Sequence, residues 1–160
     1  MDLSTQFLGL QLKNPLMVGS GPLTYSAEGV KRCAQAGAGA VVLKSLFEEQ
    51  LHHDSAELSD SLAAQTGIHG EVYEYLDAGV GLRYGSRQYL KTIQTAKQEV
   101  DIPVIASINC IDTQWWRDFA CEVEAAGADA LELNIAVFPS ALSDAARAIE
   151  DQYEAIVHVA

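Results

Sequence analysis

Apolar residues in this chain fall in short runs, and stretches of helical length with mixed character separate them. The runs are Leu16-Met17-Val18, Ala40-Val41-Val42-Leu43, Val104-Ile105-Ala106 with Ile108, and Leu131 with Leu133 and Ile135. Each is too short for a helix and is bounded by Gly, Pro or Asn, the signature of a buried strand. They predict four strands: one from Pro15 to Gly19-Ser20-Gly21, then Ala40–Lys44, Val104–Asn109 and Leu131–Ile135. Between them the period changes. Tyr89, Leu90, Ile93, Ala96 and Val100 recur every three or four residues and make one apolar helix face within Ser86–Val100. Ser26 is a good N-cap for a helix that stops at Gly37. Asp112 caps a third helix, which buries Trp116, Phe119, Ala120 and Val123 before Gly127. Ala141–Ala160 reads as a fourth. Ahead of all these, Phe7–Leu12 turns at or near Gly9 as a short hairpin.

The rhythm is reinforced by repetition. Ala36-Gly37-Ala38-Gly39-Ala40-Val41-Val42-Leu43-Lys44-Ser45 returns as Ala126-Gly127-Ala128-Asp129-Ala130-Leu131-Glu132-Leu133-Asn134-Ile135, each copy a glycine-stopped helix followed by an apolar strand. Alternating strands and helices call for a parallel sheet. Four βα units are half of a (β/α)8 barrel, which takes about 250 residues. A last helix with no strand behind it reads as the cut end of such a barrel's N-terminal half. A complete four-stranded, flavodoxin-like open sheet is the competing architecture. Residues 46–85 break the rhythm and are too long for an ordinary βα connection, so they read as an insertion or lid within a single partial domain.

With 160 residues the chain suffices for one core. Its net charge of −12 works against nucleic-acid and anionic-membrane partners, which need a basic footprint. No run approaches the roughly 20 apolar residues of a membrane helix, and Met1-Asp2-Leu3-Ser4 does not start like a signal peptide. Cys33, Cys110 and Cys121 show no CxxC spacing, which predicts reduced thiols and a cytoplasmic protein. His52, His53, Asp54 and His69 lack ligand spacing, so no metal site is expected.

In parallel sheets the reactive groups gather at the carboxyl ends of the strands. Here those ends carry Ser20, Lys44, Asn109 and Asn134. A lysine facing a barrel interior needs a partner or a lowered pKa, and Glu132 is the candidate partner; otherwise the side chain snorkels outward. The asparagines can donate and accept together at the edge of a heterocycle, or hold their own turns. Gly19-Ser20-Gly21 admits a ligand close to the backbone.

These strand ends resemble the dihydroorotate dehydrogenase family of FMN-dependent (β/α)8 barrels, over essentially the whole chain and in a divergent branch. Asn14-Pro15 through Gly19-Ser20-Gly21 is similar to the family's Asn-Pro strand ending Ala-Ser-Gly. Leu43-Lys44-Ser45 resembles its Thr-Lys-Ser, and Leu133-Asn134 its Leu-Asn. The resemblance implies that Gly19, Ser20 and Gly21 lie against FMN and that Ser45 and Asn109 hold the flavin. It also implies that Lys44 meets both substrate and flavin and that Asn134 is shared between them. The activity implied is hydride transfer from a CH–CH bond of a small, pyrimidine-like substrate, in a homodimer that also needs the other half-barrel. The family's base, Cys or Ser, falls at Val137, which has no proton to exchange. Its usual substrate loop after strand two is replaced by residues 46–85. Cys110 or a lid tyrosine (Tyr73, Tyr75) are alternative bases. Two rival readings are a Schiff-base aldolase or synthase barrel acting through Lys44, and a non-catalytic half-barrel that serves as an assembly module.

Overall fold

The computed structural model describes residues 2–47, 86–110, 113–136 and 146–160. Asp112, Val137, the four histidine and aspartate positions named above as possible ligands, and most of the 46–85 insertion lie outside them. Leu46 and Phe47, at the start of that insertion, are not lid but sheet.

A hairpin opens the chain, with β1 (Thr5–Phe7) antiparallel to β2 (Leu10–Leu12) and Phe7 paired with Leu10. Its two-residue loop has both residues in the left-handed region, Leu8 at φ 51° and Gly9 at φ 77°. That is the geometry of a type I′ turn, whose twist matches the strands it joins.

The main sheet holds β3 (Met17–Val18), β4 (Ala40–Val42), β5 (Leu46–Phe47), β6 (Val104–Asn109) and β7 (Ala130–Leu133), all parallel. β6 pairs with β7 along one edge through Ile105–Ile108, so β4 and β5, which also pair with β6, share its other edge. They are one strand with a bulge: Val42 pairs with Ile105 and Leu46 with Ile108, four steps answering three. At the bulge the Lys44 amide leaves the ladder and donates to the Thr24 carbonyl, 3.3 Å away. Strand two is therefore regular only to Val42, not to Lys44.

Counting the bulged pair once, the strands lie side by side in chain order. A flavodoxin-like sheet reverses its order at a switch point and carries helices on both faces. Neither holds here. Val41, Leu43, Val104, Ala106 and Ile108 share one core with Val30 of α1 (Ala27–Gln35), Ile93 and Ala96 of α2 (residues 86–99), Trp116, Phe119 and Val123 of α3 (Thr113–Ala125), and Ile156 of α4 (Ala146–Val159). Ala40, Val42, Ile105 and Ser107 alternate with these residues and belong to the other face. Helices on one face and sequential parallel strands on the other are the arrangement of the first four units of a (β/α)8 barrel. Ala120 of α3, expected inside, is half-buried.

Helix ends follow local chemistry. Ser26 caps α1 by accepting the Gly29 N–H at 3.2 Å. Gly37 and Gly127 close α1 and α3 at φ 102° and 92°, where a side chain would be strained. The two repeats differ after that point. In the first, a Cβ on Gly39 would lie 2.1 Å from the Asn14 carbonyl oxygen. In the second that space is open, and Asp129 uses it: its Oδ2 accepts the Val104 N–H at 2.7 Å and meets Lys97 Nζ at 2.6 Å. This tie fastens α2 to the amino ends of β6 and β7, away from the strand ends where chemistry is expected.

Candidate functional site

At the carboxyl end of the sheet, side chains from four successive strands meet. The bulge after β4 turns the Ser45 hydroxyl to within 2.6 Å of Ser107 Oγ on β6. Ser20, in the loop after β3, lies 3.1 Å from Ser45 Oγ and accepts the Ser45 N–H at 2.8 Å. Asn134, just past β7, donates from Nδ2 to Ser45 Oγ at 3.3 Å. Asn109, the last residue of β6, donates from Nδ2 to the Asn134 carbonyl. Ser20, Ser45, Asn109 and Asn134, widely spaced in the chain, thus form one hydrogen-bonded set. Ser45 (5% exposed) is its hub, Asn109 is buried, Asn134 half-buried and Ser20 exposed.

Lys44 stands beside this set but does not pair with Glu132 as expected. Its ammonium sits 4.9 Å from the centroid of the Phe47 ring, a cation–π contact with the residue that follows the bulge. Glu132 instead accepts a 2.7 Å bond from Ser107 Oγ, its register neighbour on β6. The physical reason is register. Ser107 and Glu132 face each other directly across a parallel pair, whereas the bulge shifts Lys44 out of the ladder.

Two members of the site were not anticipated. Ser107 is fully buried and carries four polar contacts, to Ser45, Glu132 and twice to Tyr89. The signal for it was present: a hydroxyl in the middle of Val104-Ile105-Ala106-Ser107-Ile108, where every neighbour is apolar. Tyr89 had no such signal, because a phenol on an apolar helix face reads as core. Its hydroxyl donates to the Ser107 carbonyl at 2.9 Å and accepts the Ser107 N–H at 2.8 Å. Burial pushes the phenol above its ordinary pKa; the Ser107 bond opposes this, and the nearby Glu132 charge adds to it.

The Gly19-Ser20-Gly21 loop is open. A Cβ on Gly19 would meet nothing within 4 Å, and one on Gly21 only the Gly19 carbonyl oxygen at 4.0 Å. Gly21 is extended, at φ 175°, a conformation any residue adopts. Neither crowding nor backbone strain among the described residues demands glycine here. A flat ring lying on that backbone, with amide and hydroxyl groups at its edge, fits the donor set. Among the described residues no three His, Cys, Asp or Glu are grouped as metal ligands, and no helix is long and apolar enough to cross a membrane.

No family model matches the chain. Curated proteins do. It is 31% identical over 135 residues to the catalytic subunit of dihydroorotate dehydrogenase B (NAD(+)) of Thermoplasma volcanium, covering 84% of this chain and 41% of that protein. It is 33% identical over 137 residues to the protein of the same name from Methanocella arvoryzae, again with 84% and 41% covered. Among solved structures it is similar to an IMP dehydrogenase/GMP reductase-like protein of Corynebacterium glutamicum, at 14% identity and a TM-score of 0.46, covering 89% of this chain and 38% of that one. The chain thus spans about two fifths of the length of the curated relatives it matches. Over that span the chain is dihydroorotate dehydrogenase-like in sequence.

Proposed function

We propose that this chain is the flavin-facing part of an FMN-dependent oxidoreductase that oxidises a CH–CH bond of a small, pyrimidine-like substrate. One observation carries the reading: Ser20, Ser45, Asn109 and Asn134 converge from four strand ends into a single bonded set beside an open Gly19-Ser20-Gly21 backbone. When bound, FMN supplies the hydride acceptor, and the protein's share is position and electrostatics. The bare backbone at Gly19 and Gly21 lets a ring system approach, and Ser20, Asn109 and Asn134 hold its polar edge, with Ser45 as the hub that positions them. Lys44 supplies a fixed positive charge for an anionic substrate or for charge on the reduced ring. A proton must also leave the substrate carbon next to the one that loses hydride. Valine at 137 cannot take it, which leaves Cys110 or a tyrosine of residues 46–85 as candidates.

The phosphate end of FMN belongs to strands seven and eight of such barrels. The working enzyme therefore includes four further βα units, and is taken to be a cytoplasmic homodimer. The test is the absorbance spectrum after FMN addition, for this chain and for a form extended by the second half-barrel of a relative. The chain alone is expected to take up FMN weakly, and the extended form to retain it. A colourless extended form would end the flavin reading. Borohydride trapping of a carbonyl substrate on Lys44 would put the aldolase reading in its place, and a monodisperse, flavin-free dimer the assembly module.

A further inference from the structure

The hydroxyl groups at the hub can be assigned their protons by counting. A serine hydroxyl has one proton and two lone pairs, and a carboxylate only accepts. Ser107 Oγ donates to Glu132 Oε1 at 2.7 Å, so its proton is spent. The proton in the 2.6 Å contact between Ser45 and Ser107 must then be that of Ser45. With Ser45 committed, the proton in the 3.1 Å contact between Ser20 and Ser45 belongs to Ser20. Every hydroxyl points the same way, Ser20 to Ser45 to Ser107 to Glu132.

The remaining lone pairs follow. Ser45 Oγ accepts from Ser20 and from Asn134 Nδ2, which fills it. Ser107 is fully buried and Ser45 nearly so, so water does not compete at either. Ser20 Oγ has given its proton and accepted the Ser45 N–H. Ser20 is also the exposed end of the chain of hydroxyls. Among the described residues one hydroxyl valence is therefore left at the mouth: an acceptor lone pair on Ser20. Aligned hydroxyls polarise one another, which strengthens that acceptor.

We propose that Glu132 is a positioning residue: acting through Ser107 and Ser45, it holds the Ser20 oxygen as an acceptor and so selects a ligand with an N–H or O–H donor at that point. This rests on reading the strand ends as a ligand site, but not on the ligand being a flavin. Replacing Glu132 by Gln keeps the shape and adds an N–H donor. Ser107 can then accept, the chain of hydroxyls can reverse, and the Ser20 proton is freed towards the ligand.

The direction is read on the unliganded chain by NMR of its serine hydroxyl protons. The expected wild-type result is protected hydroxyl protons on Ser45 and Ser107, with the Ser107 proton directed to Glu132. In Glu132→Gln the Ser45 proton should turn towards Ser20. In Ser107→Ala, which leaves both ends of the chain in place and serves if the first variant misfolds, the Ser45 proton should lose protection. Unprotected hydroxyl protons in the wild type, or a Ser45 proton already facing Ser20, would sink the proposal. Selection is read with uracil and 1,3-dimethyluracil, which share a ring and carbonyls but differ in N–H groups. Only uracil should shift the Ser20 and Ser45 amide resonances of the wild type, and Glu132→Gln should erase that preference. An equal response of the wild type to both probes, including none to either, overturns it. Because neither readout uses FMN, a colourless extended form would defeat the flavin reading and leave this one standing.

Discussion

The Tyr89 hydroxyl takes the place of a missing strand residue opposite Ser107, donating to its carbonyl at 2.9 Å and accepting its N–H at 2.8 Å. The Ile105 carbonyl on β6 is paired with the Leu43 N–H, so the backbone groups of Ser107, two residues on, face the same edge. The carbonyl still takes the Leu46 N–H through the β5–β6 register, but the bulge has removed the strand partner of the N–H. A buried peptide N–H left unpaired is costly, and the phenol oxygen accepts it from α2 while its proton adds a second donor to the carbonyl.

Tyr89→Phe should therefore be far more disruptive than the loss of one oxygen suggests. It strands the buried Ser107 N–H, at about 1–3 kcal/mol where no water can reach it. In urea denaturation the midpoint should fall with the slope unchanged. A midpoint within error of the wild type would mean that the bulge needs no plug.

The same phenol makes stability depend on alkaline pH. Its folded pKa is raised above the ordinary value of 10.0, first by burial, with the Ser107 bond opposing and the Glu132 charge assisting. A raised folded pKa means that the unfolded chain releases this proton first as pH rises. The contribution of neutral Tyr89 is thus full below about pH 10 and is lost progressively above it. Comparing denaturation midpoints of wild type and Tyr89→Phe across that range, the gap should narrow as pH climbs. The other tyrosines are common to both proteins and cancel.

Asp129 and Lys97 should respond unequally to mutation, although they form one ion pair. Both are about a quarter to a third exposed, at 24% and 30%, so the charge interaction itself is worth under about 1 kcal/mol. Lys97→Met should cost no more than that. Asp129→Ala also leaves the Val104 N–H, on a fully buried residue, without its 2.7 Å partner, and should cost about 1–3 kcal/mol. Equal losses in thermal or urea unfolding would show that the ion pair, not the backbone bond, is what matters.

Leu8 is the one non-glycine residue among those described with positive φ, at 51°, and its side chain is 67% exposed. It is strained for a leucine and contributes little packing in return. Leu8→Asn places a residue that type I′ turns favour at that position, and should raise stability by up to about 1 kcal/mol. Thermal unfolding checks the sign; a fall would mean that Leu8 packs on something its exposure hides.

The sequence by itself determined the parts that depend on near neighbours. Period and punctuation placed four strands and four helices, Gly37 and Gly127 marked helix ends, and a repeated phrase tied two βα units together. Its resemblance to a known family marked Ser20, Ser45, Asn109 and Asn134, and these do converge. Tertiary structure decided what depends on register and on unpaired backbone. The bulge after Val42 is one residue of mismatch between β4–β5 and β6, set by how both strands pack and invisible in either. That mismatch took Lys44 away from Glu132, brought Ser45 onto Ser107, and opened the gap that Tyr89 fills. The hydrophobic pattern reports which face of an element is buried. It carries no record of which polar atoms, far apart in the chain, are left facing one another once burial is complete.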